Sequence, residues 1–288
     1  MMKPLRRWWY RSRRLVSFQR FYWYTYLKSQ WVNEFDDVEK FVMFVGYPRS
    51  GHSLVGSLLD AHPEMIISHE LDALKYVRFG LNKRQIYHLI LENSRAYADD
   101  SRVQTGYVYD VPGQWQGRYQ TLRIIGDKKG GQTSDDIAKN PALFEKLIAC
   151  IDDVPIKFIH IVRNPFDNIG RITKFNRDRL SDFSIERGLE RYFHYCEGAM
   201  YVKAQTPSEN FFEARSEDII DAPQAHLRQM CDFLGLDAPQ DYLDACASII
   251  FKKPSSSRHV IEWTPEQIAS VYQRMADYPY LDGYTFED

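Results

Sequence analysis

The stretch Gly46-Tyr47-Pro48-Arg49-Ser50-Gly51-His52-Ser53 constrains this chain more than any other. Phe41-Val42-Met43-Phe44-Val45 precede it, a continuous apolar run that reads as a buried parallel strand. After it, Leu54, Val55, Leu58 and Leu59 put a hydrophobic stripe on one helical face, and His62-Pro63 ends that helix. A strand, a turn containing a glycine, and a helix opening at a hydroxyl together make an anion site. Unpaired helix N–H groups point into the turn, the helix dipole adds partial positive charge, and Arg49 brings a full one. The plainer reading is an ordinary strand-to-helix turn with a surface arginine. Arginine, serine, glycine and serine in one turn favour phosphate binding over it.

Spacing then narrows the kind of phosphate. A nucleotide-hydrolysing loop reads G-x-x-x-x-G-K-S/T, with its lysine on the terminal phosphates and its hydroxyl on Mg²⁺. Here His52 stands in the lysine's place and the basic residue comes earlier, at Arg49. The phrase Pro48-Arg49-Ser50-Gly51-His52-Ser53, followed by Leu59-Asp60-Ala61-His62-Pro63, resembles the 5′-phosphosulfate loop of the sulfotransferase family. It is especially similar to the opening of tyrosylprotein sulfotransferases and their bacterial relatives. That resemblance implies 3′-phosphoadenosine 5′-phosphosulfate (PAPS) as donor and adenosine 3′,5′-bisphosphate as product.

With 288 residues, 44% of them hydrophobic, the chain has core enough for one large α/β domain, and no Pro/Gly/Ser-rich linker or internal repeat divides it. A net charge of −2 argues against a protein that coats nucleic acid. Cys150, Cys196, Cys231 and Cys246 are far apart in apolar, helix-like contexts, so buried free thiols are expected and no metal spacing appears.

The first 33 residues differ from the rest. Lys3, Arg6, Arg7, Arg11, Arg13, Arg14, Arg20 and Lys28 occur there with no acidic residue before Glu34, interleaved with aromatics from Trp8 to Tyr26. Charges break every apolar run, so neither a transmembrane helix nor a signal peptide fits. Such a segment lies on an anionic membrane surface, grips a polyanion, or packs its aromatics on the domain while its arginines face water. We therefore expect a basic aromatic segment over 1–40, a sulfotransferase-like domain over 41–288, and a cytoplasmic protein with or without peripheral membrane contact.

From Phe41 onward the pattern alternates strand and helix. Strands are expected at Met65–Ser68, Leu122–Gly126, Lys157–Val162 and Asn210–Arg215, and helices over 83–97, about 184–205, 223–234 and 239–250. Asn140-Pro141 reads as a cap and first-turn proline, with Leu143, Phe144, Leu147, Ile148 and Ile151 as a buried face. Asn164-Pro165 opens another helix, and Thr264-Pro265-Glu266-Gln267 carries a capping-box signature. Residues 101–120 read as an irregular, aromatic-rich loop of a kind that suits acceptor binding. The expected fold is a P-loop-like, three-layer α/β/α arrangement around a mainly parallel sheet. Ligands in such sheets bind beyond the strands' carboxyl ends, where the Arg49, Glu70, Lys128 and Arg163 segments converge.

The resemblance, which spans roughly 41–275 in element order, implies roles residue by residue. Backbone N–H groups from Ser50 to Ser53 and the Ser53 hydroxyl cradle the phosphosulfate, while Arg49 neutralises the oxygen that bridges sulfur and phosphorus. The family usually has Thr or Ser where His52 stands, so His52 either replaces that donor or only caps the helix. Glu70 falls at the family's catalytic glutamate and would take the acceptor's proton. His69 is the runner-up base, although alternation along a strand turns the two side chains apart. Gly126-Asp127-Lys128 resembles a pair whose lysine steadies the sulfonyl group; Lys129 substitutes if the turn is read one residue off. Arg163 matches an arginine that binds the 3′-phosphate together with a serine eight residues on, a position that Arg171 occupies here. Arg215-Ser216-Glu217-Asp218 resembles a segment near adenine but lacks its aromatic residue. Lys252, Ser257 and Arg258 match a basic, hydroxyl-rich strip that closes on the donor. No metal is expected. The acceptor is a hydroxyl or an amine, in a small metabolite, sugar, lipid or peptide. The rival readings are a nucleotide-dependent phosphotransferase, against which the missing lysine speaks, and a non-catalytic module that binds adenosine bisphosphate or a sulfated glycan.

Overall fold

The computed structural model describes residues 17–287 apart from 101, 105, 181 and 251–255. Among the described residues, a first helix, α1, covers 17–29. The strands are β1 (Lys40–Val45), β2 (Met65–Ser68), the short pair β3 (Val103–Gln104) and β4 (Tyr107–Val108), β5 (Ile124–Asp127), β6 (Ile156–Val162) and β7 (Phe211–Arg215). Between and after them run α2 (His52–Asp60), α3 (Ala73–Arg78), α4 (Lys83–Asp99), α5 (Gly130–Lys139), α6 (Ala142–Cys150), α7 (Pro165–Arg177) and α8 (Ile185–Gln205). The chain closes with α9 (Ser216–Asp221), α10 (Pro223–Leu234), α11 (Gln240–Ser248) and α12 (Pro265–Met275).

Five strands form one sheet in the order β2-β5-β1-β6-β7, and every neighbouring pair is parallel. Burial on both faces explains why these strands read as unbroken apolar runs. The two-residue period of β1 divides its side chains between two cores. Phe41, Met43 and Val45 pack with Phe158 and with α3, α4, α5, α6 and α8; Val42 and Phe44 pack with Ile159, Ile161, α2, α10 and α11. That is the expected three-layer fold. A third cluster joins Tyr47 and Val162, at the carboxyl ends of β1 and β6, to α7, α8 and α12.

The domain side of α1 combines aromatic and hydroxyl side chains. Phe18, Phe21 and Tyr22 pack against the first core, and Gln85 Nε2 donates to the Tyr22 carbonyl and to Thr25 Oγ1. No helix among the described residues is long and apolar enough to cross a membrane.

Three local expectations need correction. Asn140 does not cap α6: it ends α5, and only its carbonyl contributes, accepting the Leu143 N–H at 3.0 Å. Ile148 is exposed rather than buried, because the buried side of α6 is narrower than the apolar stripe. The loop 101–120 contains the β3–β4 hairpin and is held by Gln116, which donates to Ser57 O and Tyr109 O and accepts from the Val111 N–H.

Candidate active site

The β1–α2 turn is held from three sides by groups far away in sequence. Ser134 Oγ accepts the Gly46 N–H at 2.7 Å, Asn168 Nδ2 donates to the Pro48 carbonyl at 2.6 Å, and Arg163 Nη1 donates to the Arg49 carbonyl at 2.8 Å. Ser50 is fully buried and spends its hydroxyl on the Tyr47 carbonyl. Arg49 is left-handed at φ 73°, a conformation that costs a non-glycine residue on the order of 1–3 kcal/mol and is typical of ligand clamps. Gly51 (φ 99°) is the N-cap of α2, and a Cβ there would lie 3.2 Å from Ser216 Oγ. With glycine at the cap, no side chain closes the N-terminus of α2, which leaves its first-turn N–H groups and dipole facing an anion site.

Beside that terminus lies an ion-paired cluster. Lys128, 2% exposed, donates from Nζ to Ser53 Oγ at 2.9 Å and to Glu70 Oε1 at 3.1 Å; Lys129 Nζ reaches Glu70 Oε2 at 2.9 Å. Burial would raise the Glu70 carboxyl, but Lys128 and Lys129 outweigh it and hold the group at about 2. Burial pushes the Lys128 ammonium down from its ordinary value, against the pull of Glu70. The lysine stem crosses α2 at Gly56, where an added Cβ would meet Lys128 Cγ at 2.6 Å and Cβ at 2.9 Å. Glu70 itself has φ 58°. Buried Asp127 fixes its turn by accepting from Ser68 Oγ, Leu71 N and Ala73 N.

The histidines take other positions. His52 is buried with its ring against Phe44 (centroids 5.7 Å apart), and burial, then Lys128, lowers its pKa to about 3. Its imidazole is neutral and does not cap α2. His69 stacks on Tyr97 with centroids 3.9 Å apart and does not line the cavity described below, so it is poorly placed as a base.

On the other side of the turn, Arg163 Nη2 reaches Ser257 Oγ at 3.4 Å and approaches Asp167 at 3.9 Å. Asp167 also accepts from the Ser257 and Arg258 N–H groups and pairs with the Arg258 guanidinium through both carboxylate oxygens, at 3.1 and 2.9 Å. Arg258 Nη1 donates to the Thr285 and Phe286 carbonyls. It is therefore an internal tether, not a cavity cation; Ser257 is equally buried and meets Arg163 Nη2. Lys252 lies outside the described residues.

A cavity of about 750 Å³ opens where these segments meet at the carboxyl ends of the strands. Among the described residues, Arg49, Lys128, Lys129, Arg163, Arg171, Arg179 and Arg191 line it, against the one carboxylate of Glu70. Such an excess of positive charge in one concave site focuses potential on anions. Burial, then Arg171, pushes the Arg49 guanidinium down from its ordinary value. Phe175 carries Arg49 at 4.7 Å and Arg179 at 3.7 Å from its ring centroid. Tyr107, Tyr109 and Tyr195 add aromatic wall. Sequence reasoning missed Phe175, Arg179 and Arg191. The available signal was the four-residue spacing of Arg171 and Phe175, which keeps them on one side of α7; Arg179 follows in the turn after the helix and reaches the Phe175 ring.

Comparison with known proteins agrees with this geometry. Residues 42–240, more than half of the chain, match the model of the sulfotransferase family. No curated protein matches the chain. Among solved structures, it is similar to the sulfotransferase domain of the Synechococcus PCC 7002 olefin synthase at 15% identity, with a TM-score of 0.51 over 84% of this chain and 94% of that one. It is also similar to the sulfotransferase STF9 of Mycobacterium avium at 13% identity, with a TM-score of 0.50 over 84% of this chain and 76% of that one. At such identities the structural likeness speaks for the fold, and the family match for the lineage: this chain belongs to the sulfotransferase family.

Proposed function

We propose that the chain transfers a sulfonyl group from PAPS to a hydroxyl or amine acceptor. The observation that carries this reading is the uncapped N-terminus of α2 beside the pair of buried Lys128 and half-exposed Glu70, in a cavity that seven cations and one carboxylate line among the described residues. The residues fit a polyanionic nucleotide: helix N–H donors, a hydroxyl on Ser53 and several guanidinium groups converge there. His52 is buried and neutral, so it cannot do the work of a phosphate-binding lysine. Bound PAPS would supply an activated sulfonyl group on a phosphate leaving group.

The proposed division of labour follows from position. The α2 N–H groups and Arg49 stabilise negative charge on the leaving side. Lys128, held by Ser53 and Glu70, steadies the sulfonyl oxygens. Arg163 and Arg171 face the 3′-phosphate, with Ser257 orienting Arg163. Glu70 takes the acceptor proton. With both oxygens engaged and its carboxyl held at about 2, it is a weak base in the present state. Competition for the Lys128 ammonium by an anion at the loop frees Oε1 and lets the carboxyl move back toward its ordinary range. Tyr107 and Tyr109 line the acceptor side. The four cysteines are free, three of them buried, which supports a reducing, cytoplasmic setting.

The test is transfer of label from sulfur-35 PAPS to pooled phenolic, alcoholic and amine acceptors. Labelled product that disappears in Arg49→Ala supports the reading. Tight binding of adenosine 3′,5′-bisphosphate with no transfer to any pool overturns the catalytic part.

A further inference from the structure

We infer that the outer face of α1 is a docking surface for an anionic lipid bilayer, on which the helix lies flat. Two opposed stripes define the helix. Positions 18, 21, 22, 25 and 29 face the domain, and there Thr25 and Ser29 are buried while Phe18, Phe21 and Tyr22 pack on the core. Half a turn away, Arg20, Trp23, Tyr24 and Leu27 share the opposite face, followed by Trp31 just past the helix end. The domain side is already satisfied, so a free outer face would ordinarily be polar. Instead Trp31 is 83% exposed, Trp23 59%, and Tyr24 and Leu27 58% each.

Charge selects the occupant. Arg20 and Lys28 flank the aromatic stripe, and Lys28 reaches over the Tyr24 ring at 5.9 Å. The first sixteen residues of the sequence, outside the described ones, carry Lys3, Arg6, Arg7, Arg11, Arg13 and Arg14 with no acidic residue. A second copy of this chain would set that charge against its equal. An anionic lipid surface complements it, while Trp, Tyr and Leu suit the boundary between headgroups and acyl chains. Arg20 and Lys28 break its apolar run, and no helix among the described residues is long and apolar enough to cross a membrane, so the inferred contact is with the bilayer surface.

The experiment is co-sedimentation of the full chain with phosphatidylcholine vesicles, with and without about 30% phosphatidylserine, at low and high salt. We expect binding to the anionic vesicles at least roughly tenfold above the neutral ones, weakened by salt, because each basic residue near such a surface is worth about fivefold. The combined substitutions Trp23→Ser, Leu27→Ser and Trp31→Ser should lower partitioning by tenfold or more, since each apolar side chain taken from water counts about that much. Arg20→Glu with Lys28→Glu, at two exposed positions, should erase the preference for anionic vesicles and serves if the serine variant fails to fold. A thermal melt of each variant separates docking from unfolding. Absence of binding to anionic vesicles at low salt overturns the inference, as does undiminished binding by both folded variants. So does a wild-type dimer that dissociates in the serine variant, because the face would then belong to a second copy.

Discussion

Replacing Glu70 by Gln isolates the charge at the centre of the proposed mechanism while keeping the side chain's size. In the structure its carboxylate holds two ammonium groups, at 3.1 and 2.9 Å. Holding the carboxyl at about 2 instead of the ordinary 4.5 corresponds to at most about 3.4 kcal/mol of ion pairing. The Glu70 side chain is 38% exposed, so water screens the pair and about 1–2 kcal/mol is the realistic figure. Because the folded pKa lies below the ordinary one, that stabilisation is fully present above pH 4.5 and is lost as pH falls through about 2. Acid denaturation of the wild type should therefore show a loss in this window that Glu70→Gln lacks. The variant also removes the group that competes with a bound anion for Lys128, so affinity for adenosine 3′,5′-bisphosphate should hold or rise. Transfer should fall by roughly 10²–10⁴-fold, the usual cost of losing a general base. The assay is single-turnover transfer with saturating PAPS, run beside calorimetric titration of the bisphosphate. Wild-type transfer by Glu70→Gln would refute the proposed base. A collapse of bisphosphate affinity would refute the competition between carboxylate and ligand.

Other sites give independent checks. Gly56→Ala should push the Lys128 stem off α2, since the new methyl would meet it at 2.6 and 2.9 Å; a displacement near 1 Å typically costs about 10²-fold in rate, so steady-state turnover equal to wild type would argue against a role for Lys128. Asp60→Ala should strip the partner from Arg102, which is 2% exposed and pairs with Asp60 at 2.7 Å. Breaking a buried pair on one side costs about 3–5 kcal/mol, a drop on the order of 10 °C in a thermal melt, and an unchanged Tm would contradict that structural role. Arg258→Met should likewise lower the Tm by freeing Asp167 and the 257–258 strip, and a loss of bisphosphate affinity without any change in Tm would instead make Arg258 a ligand-binding cation.

What was legible in the sequence is what local chemistry decides. The apolar run of β1, the turn glycine and the stripe of α2 lie within twenty residues, and each constrains its neighbours directly. Asn164 accepts the Phe166 N–H ahead of Pro165, and Thr264 with Gln267 closes a reciprocal capping box, both as their spacing implies. The helix α5 escaped notice because it opens at Gly130-Gly131, a pair with poor helix propensity. Its packing compensates: α8 approaches so closely that a Cβ on Gly198 would strike the Ser134 backbone. The site residues divide in the same way. Arg49, Lys128 and Arg163 follow strands, and strand ends converge in a parallel sheet. Whether a cation faces the cavity or the interior depends on partners remote in sequence, and that is where reading fell short. Arg258 is consumed by Asp167, ninety-one positions away, and Glu70 by lysines nearly sixty away. His52 presented a similar ambiguity, because a residue at a helix start either aims its ring at the ligand or packs it inward; here it borders the cavity while its ring packs against Phe44.

Calorimetric titration of adenosine 3′,5′-bisphosphate and of AMP into the wild type, Arg49→Ala and Arg163→Ala tests the donor site most directly. If the cationic cavity at the N-terminus of α2 holds the donor, the bisphosphate should bind the wild type at least about tenfold more tightly than AMP, because one charge-assisted contact contributes roughly 1.5–3 kcal/mol. Arg163→Ala should cut that preference, leaving what Arg171 supplies, and Arg49→Ala should weaken both nucleotides. Equal affinity of the wild type for the two nucleotides, or no measurable binding of either, would contradict the donor site.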